Sequence, residues 1–272
     1  EFSSYPRVGQ DLENLPVQEG DVVFVLDVSP VEIRSLERVL VKLKLAKAVY
    51  WNTHHNVPSE MAERIRRSGV EFDNVLGVSS AGMSSTKFLP QDGVAKELSS
   101  IASDIEFWKR RDVRSTKLAD LITSGKDKSK LSESLSKGVL WSPEWEKELV
   151  VYEKKKKDAL SQMLKKLIVR NVSKWKVGYA LADSCISSAD AGQGMLDAHT
   201  EIDVAVILFR SGRLSFRRRD GCAVDVSLLA QKFGGGGHQY ASGAQLNRTV
   251  TNSSWDEALL IVDQGVKSVL QE

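Results

Sequence analysis

Residues 21–27, Asp-Val-Val-Phe-Val-Leu-Asp, constrain the fold of this 272-residue chain more than any other stretch. A short continuous apolar run of this kind suits a strand buried on both faces of a parallel sheet. A helix start follows at once: Ser29 can cap, Pro30 fits the first turn, and Glu32 stands three residues after Ser29 to complete a capping box. Ile33, Leu36, Leu40 and Leu43 then form a stripe at helical spacing. A second strand is expected at 46–51, a helix at 58–67 and a third strand at 70–78. The alternation reads as a doubly wound α/β sheet.

Residues 92–169 carry amphipathic helical patterns and no convincing strand, with Trp108, Trp141 and Trp145 expected to anchor helix contacts. Beyond Asn171 strand-like runs return at 176–182, 202–209 and 213–218, interleaved with helices near 189–198, 226–233 and 255–270. The expected architecture is two α/β domains joined by helices. A doubly wound parallel-sheet domain with a helical extension covers 1–145, a helical linker 146–172, and a smaller domain 173–272.

Apolar residues make up 42% and charged residues 27%, which excludes a mainly disordered or collagen-like chain. No run approaches the ~18 apolar residues of a membrane span. Lys and Arg number 38 against 36 Asp and Glu, and the segment from Arg170 onward holds 11 of each. Any nucleic-acid site must therefore be a local patch. The lysines at 154–157, 165 and 166 read better as the solvated face of a helix than as a phosphate-facing patch. Cys185 and Cys222 are too few for a disulfide framework and lack metal-finger spacing, so both read as structural thiols in a reducing interior. No secretory signal is present, and the chain opens Glu1-Phe2 without Met, as a processed or recombinant fragment does; the expectation allows for a segment upstream.

The chemistry concentrates in Phe233-Gly-Gly-Gly-Gly-His-Gln-Tyr-Ala-Ser-Gly243. Four successive glycines cost chain entropy that a plain turn does not require; their use is close approach, with backbone N–H groups aimed at a phosphate and His238 adding a donor. Gly234 suits the C-terminal cap of the helix before it. In Arg213-Leu-Ser-Phe-Arg217, alternation puts Leu214 and Phe216 on the core face and Arg213, Ser215 and Arg217 on the other, as a phosphate-gripping surface requires. Arg218 and Arg219 either add charge to that surface or face solvent.

The run Leu214–Arg217, then Val224–Phe233, then the glycine-histidine segment closely resembles the C-terminal substrate-binding domain of the DHH phosphoesterase superfamily, which includes RecJ exonucleases and oligonucleotide phosphodiesterases. A similar glycine-histidine motif occurs in alanyl-tRNA synthetases. The resemblance implies a phosphate or nucleic-acid site at Ser215, Arg217, Gly235, Gly236, Gly237, His238 and Ser242. The family's N-terminal domain holds two Mn²⁺ ions at strand ends. Asp27 resembles one ligand, and in Trp51-Asn-Thr-His-His-Asn-Val-Pro58 the pair His54 and His55 matches the signature tripeptide with Thr53 where Asp belongs. Asp104 falls at a further ligand position, balanced against a helix-end role, and Ser79–Thr86 resembles the small-residue stretch between these motifs.

Two departures matter. The family's Asp-rich opening motif has no counterpart before Asp27, for which Asp11-Leu-Glu13 is a poor substitute, and a neutral Thr53 hydroxyl cannot bridge two dications. The expectation is a degenerate site that binds metal weakly or not at all, with no catalytic residue and no cofactor, or Mn or Mg if the site is active. RecJ-like chains with lost ligands resemble the replication factor Cdc-forty-five and its archaeal relatives, scaffolds joined to GINS and the MCM helicase. The resemblance thus implies GINS, MCM and single-stranded DNA as partners, no membrane, and a cytoplasmic, nucleoid-associated protein. The competing reading is a Mn²⁺-dependent phosphodiesterase of single strands or short oligonucleotides; a tRNA-editing or other RNA-binding module comes third.

Overall fold

The computed structural model describes residues 8–30 and 33–271. The capping box read on Ser29 and Glu32 depends on Glu32, which lies outside the described residues. The chain divides into two compact units, one built from residues up to 119 with 129–141, the other from 120–128 with 142 onward.

The first unit contains α1 (Val8–Asn14), β1 (Val22–Leu26), α2 (Ile33–Leu43), β2 (Ala48–Thr53), α3 (Ser59–Arg67), β3 (Glu71–Asn74), α4 (Ser80–Phe88), α5 (Gly93–Glu106) and α7 (Lys128–Ser136), with α6 (Val113–Thr123) contributing residues 113–119. Its strands form a parallel sheet in the order β1-β2-β3. Leu36, Val39, Leu40 and Leu43 of α2, with Ala62 and Ile65 of α3, pack on Val25, Val49, Trp51 and Phe72. The expectation that β1 is buried on both faces does not hold: Val22, Phe24 and Leu26 are each nearly half exposed. Position rather than composition decides this, because β1 is an edge strand whose second face meets Tyr50 and, from the end of α4, Phe88 in an aromatic cluster rather than the length of a helix. β3 is shorter than expected, since Gly77 at φ 81° turns the chain toward Ser79, whose hydroxyl caps α4. Of the three expected anchors, Trp145 is buried and Trp141 half-buried beneath Lys117, whereas Trp108 is exposed.

The second unit contains α8 (Pro143–Lys165), β4 (Ile168–Val172), β5 (Trp175–Ala182), α9 (Ser188–Ala198), β6 (Val204–Phe209), β7 (Arg213–Arg218), α10 (Val226–Lys232), β8 (Gly236–His238), β9 (Ala241–Gln245) and α11 (Trp255–Leu270). Its sheet runs β4-β5-β6-β7-β9-β8, parallel only between β5 and β6, which α9 connects. Helical periodicity was expected to run to Val169, but Ile168–Val172 pairs as a hairpin strand with β5; β-branched Ile168, Val169 and Val172 favour the pleat once a partner strand exists. Of the glycine-histidine segment 233–243, read as aiming backbone N–H groups at a phosphate, residues 236–243 form part of a β-hairpin added to the sheet edge.

β6 is buried along its whole length because both faces are covered. Val204, Val206 and Leu208 meet Leu214, Phe216, α10 and α11, while Ala205 and Ile207 lie on the face that α9 covers. Small residues allow that close cover: a Cβ on Gly178 would strike Ile202, and one on Gly192 would strike the stem of Arg217. The lysine run is mostly a solvated helix face, as read, except that Lys156 binds buried Asp120 at 2.6 Å. Arg218 and Arg219 do not enlarge a charged surface. Arg219 donates to the Leu196 and His199 carbonyls at the end of α9, and Arg218 to the Cys222 carbonyl. Cys185 and Cys222 are both free and buried.

Asp263 of α11 is 1% exposed and accepts from Arg170 at 2.5 Å, Lys267 at 2.8 Å and the Tyr179 hydroxyl at 2.9 Å. Burial pushes its carboxyl up, but the bonds from Lys267, Tyr179 and Arg170 outweigh this and hold it below the ordinary carboxylate value. A lowered folded-state pKa means stability that is complete above the unfolded carboxylate range and lost as pH falls through the folded value. Asp263→Asn is expected to cost about 2–3 kcal/mol at pH 7, below the fully buried case because Arg170 and Lys267 reach solvent. Urea melts at pH 7 and pH 3 check this; a difference from the parent that is as large at pH 3 as at pH 7 refutes it.

Candidate functional sites

In the first unit, the parallel strands end at a cluster of acids and histidines. Asp27 follows β1 at φ 62°, a left-handed conformation uncommon for Asp, and receives the Ser80 hydroxyl at 2.9 Å. His54 and His55 follow β2 with their rings stacked at 4.4 Å, in a loop held by the Asn74 amide, which donates to the Thr53 and His55 carbonyls. His54 is 2% exposed, its Nδ1 3.1 Å from Asp27 and its Nε2 3.0 Å from Glu106. Thr53 is fully buried and its hydroxyl meets His55 Nδ1 at 2.9 Å. The small-residue stretch 79–86 supplies this bracing: Ser80 reaches Asp27 and Ser84 accepts the Asn52 amide.

Asp104 does not join the cluster. Its carboxylate accepts the Arg111 N–H at 3.0 Å, the helix-end role, because it lies on a different side of α5 from Glu106. Sequence reasoning missed Glu106, whose position next to His54 depends on folding α5 back over some 50 residues of chain and leaves no local motif. Burial, and then the charge of Asp27, push the Glu106 carboxyl above its ordinary value against the pull of His54.

The ligand atoms of Asp27, His54 and His55 lie within 4.8 Å of one another. With Glu106 accepting from Nε2–H, Nδ1 of His54 is left facing Asp27, the division of labour by which an outer carboxylate orients a metal-binding imidazole. This donor set fits one divalent cation. Among the described residues it does not extend to a bridged pair: Thr53 is neutral, Asp104 is turned away, Asp73 is bound to Lys87, and Glu13 to Arg38.

In the second unit, cross-strand pairing settles which motif residues share a face. Arg217 lies opposite Ala241 and Ala241 opposite His238, while Ser215 lies opposite Gly243 and Gly243 opposite Gly236. Directly paired residues point to the same side of a sheet, so Ser215, Arg217, Gly236 and His238 occupy one face with Arg213. Ala241 and Gly243 form a floor of small residues between the arginines and His238, and Tyr240 stacks on His238 at 5.3 Å and 5°. Arg217 donates to the Ser215 hydroxyl at 2.8 Å and to the Phe216 carbonyl, and among the described residues no carboxylate comes within ion-pair reach of Arg213 or Arg217. Burial, and then the charge of Arg213, push the Arg217 guanidinium down to about 10.

Three residues read into this site serve the fold instead. Ser242 points to the opposite face and donates to the Val226 carbonyl at 2.5 Å. Gly237 pairs with Ser242 on that same side. The N–H of Gly235 is consumed by the Ala230 carbonyl, and that of Gly234 by Gln231, the two bonds of a Schellman motif ending α10.

No family model matches the chain, and no curated protein does. Solved structures do. RecJ in complex with Mn²⁺ from Thermus thermophilus superposes with a TM-score of 0.55 at 13% identity, covering 99% of this chain and 47% of that one. An exopolyphosphatase-related protein from Bacteroides fragilis gives 0.52 at 15% identity over 98% and 78%. The chain shares the fold of these two structures. A pGpG-specific phosphodiesterase, PggH, from Vibrio cholerae gives 0.47 at 14% identity over 98% and 90%. The chain spans about half the length of the RecJ structure. The acid–histidine cluster stands beyond the carboxyl ends of the first unit's parallel strands, where open α/β sheets place their sites. Among the described residues no helix is long and apolar enough to cross a membrane.

Proposed function

We propose that this DHH-type chain binds phosphate-bearing single-stranded nucleic acid on the β7–β9–β8 face and does not hydrolyse it. The observation that carries this reading is the pair Arg213 and Arg217: two neighbouring guanidiniums on one sheet face, Arg217 half-buried, with no carboxylate in reach among the described residues. Burying an unpaired cation is costly, and an anion that forks across the guanidinium supplies the missing partner. Loss of hydrolysis follows from a donor set that, among the described residues, suits one cation and lacks bridging carboxylates. By its resemblance to RecJ-like scaffolds, such a chain acts as a replication factor that binds GINS and supports the MCM helicase in the cytoplasm.

A second reading, a Mn²⁺-dependent phosphodiesterase, draws on the convergence of Asp27, His54 and His55. Hydrolysis of end-labelled single-stranded DNA and of a dinucleotide, with and without Mn²⁺, separates the two. The expected outcome is no Mn²⁺-dependent turnover by the parent or by His54→Ala. Turnover by the parent that disappears in His54→Ala establishes the phosphodiesterase and overturns the scaffold.

A further inference from the structure

Between α5 and α6 the chain makes a turn, Phe107-Trp-Lys-Arg-Arg111, that neither site uses. Trp108, Lys109, Arg110 and Arg111 are all exposed. A tryptophan 36% exposed forgoes much of the burial its size allows. Trp108 and Arg110 also stand at φ 51° and 52°, a region that bulky side chains avoid. Asp104 holds them there: its carbonyl accepts the Lys109 N–H and its buried carboxylate the Arg111 N–H, both at 3.0 Å. The Arg110 guanidinium lies over the Trp108 ring at 4.1 Å, and Lys109 over Phe107 at 5.1 Å. Asp112, the next acid along the chain, is occupied by Arg114 at 2.7 Å. Phe107 in turn meets the His54 ring at 5.6 Å, so the turn begins at the acid–histidine cluster.

We infer that this turn is a nucleic-acid subsite in which Trp108 stacks on one base while Lys109 and Arg111 take the flanking phosphates. The inference rests on the reading that the chain binds single strands. An acidic peptide would use Lys109 and Arg111 but has no need of a flat indole fixed in a disfavoured backbone conformation. A nucleotide strand uses both, because every base has a π-face and every link a charge.

The test is fluorescence anisotropy of the full chain with a labelled oligothymidylate of about ten nucleotides and with an abasic strand of equal length. Trp108→Ala is expected to weaken the oligothymidylate about tenfold and leave the abasic strand unchanged, and Trp108→Phe to restore most of the loss. The Lys109→Ala/Arg111→Ala variant weakens both strands and lowers the slope of log affinity against log salt by about 1 to 1.5. An unchanged affinity in Trp108→Ala, or an equal loss for both strands, overturns the subsite. Arg217→Met separates this from the face on β7: loss there with Trp108→Ala unaffected removes only the turn, while the reverse supports the turn and removes the arginine site. A parent chain that binds neither strand overturns both.

Discussion

Arg217→Met is expected to weaken binding of single-stranded DNA by roughly 10- to 100-fold, the scale of a lost charge-assisted bond pair, while raising the stability of the ligand-free protein. The second half of that outcome distinguishes a binding arginine from a structural one. In the absence of ligand, Arg217 packs its stem against Gly192 and, among the described residues, holds its charge with the Ser215 hydroxyl and the Phe216 carbonyl as partners. Its depressed pKa, about 10, marks the cost of keeping that charge out of water. A methionine fills the same volume without the desolvation, for a gain of about 1 kcal/mol, or about 2–4 °C in melting temperature for a domain of this size. Filter binding and thermal melts on one preparation check both signs. A variant that binds as tightly as the parent, or that melts lower, sinks the assignment of Arg217 to an anion site.

The glycine run divides by position. Gly235→Ala is expected to cost about 3 kcal/mol, because its Cβ would stand 2.1 Å from the Gly243 carbonyl oxygen and 2.7 Å from Ala244, both backbone-fixed. Gly237→Ala is comparable, at φ 140° and 2.7 Å from Ser242. Gly236→Ala meets nothing and is expected to change stability by less than about 0.5 kcal/mol. Since Gly236 lies on the arginine face, its methyl group should still reduce nucleic-acid affinity where the strand crosses the floor. Urea denaturation of the three variants decides the matter: equal costs at 235 and 236 would contradict the hairpin packing.

Much of the fold was legible because it rests on local signals. The apolar run at 22–26, the stripe of α2, the strands at 175–182 and 213–218 and the helix at 255–270 are each encoded by periodicity within a dozen residues. The Arg213/Ser215/Arg217 face followed from alternation alone, and Gly234 as a helix cap followed from its place after an amphipathic helix. Asp27, His54 and His55 were found through their likeness to a known motif, and the fold does bring them together.

The remaining features depend on partners distant in sequence. Whether β1 is covered on one face or two depends on its edge position, not on its five apolar residues. Whether Gly-Gly-His is a loop or a strand depends on β9 lying beside it, since glycine has no strand propensity of its own to announce it. Asp104 and Glu106 differ by two residues, and only the rotation of α5 against β2 sends one to a backbone N–H and the other to His54. The sequence by itself determined which residues could carry charge, metal affinity or close backbone approach, because those are properties of side-chain chemistry and short-range spacing. Tertiary structure alone decided which of them meet, because a sheet face, an edge and an ion partner are defined by chain segments tens of residues away.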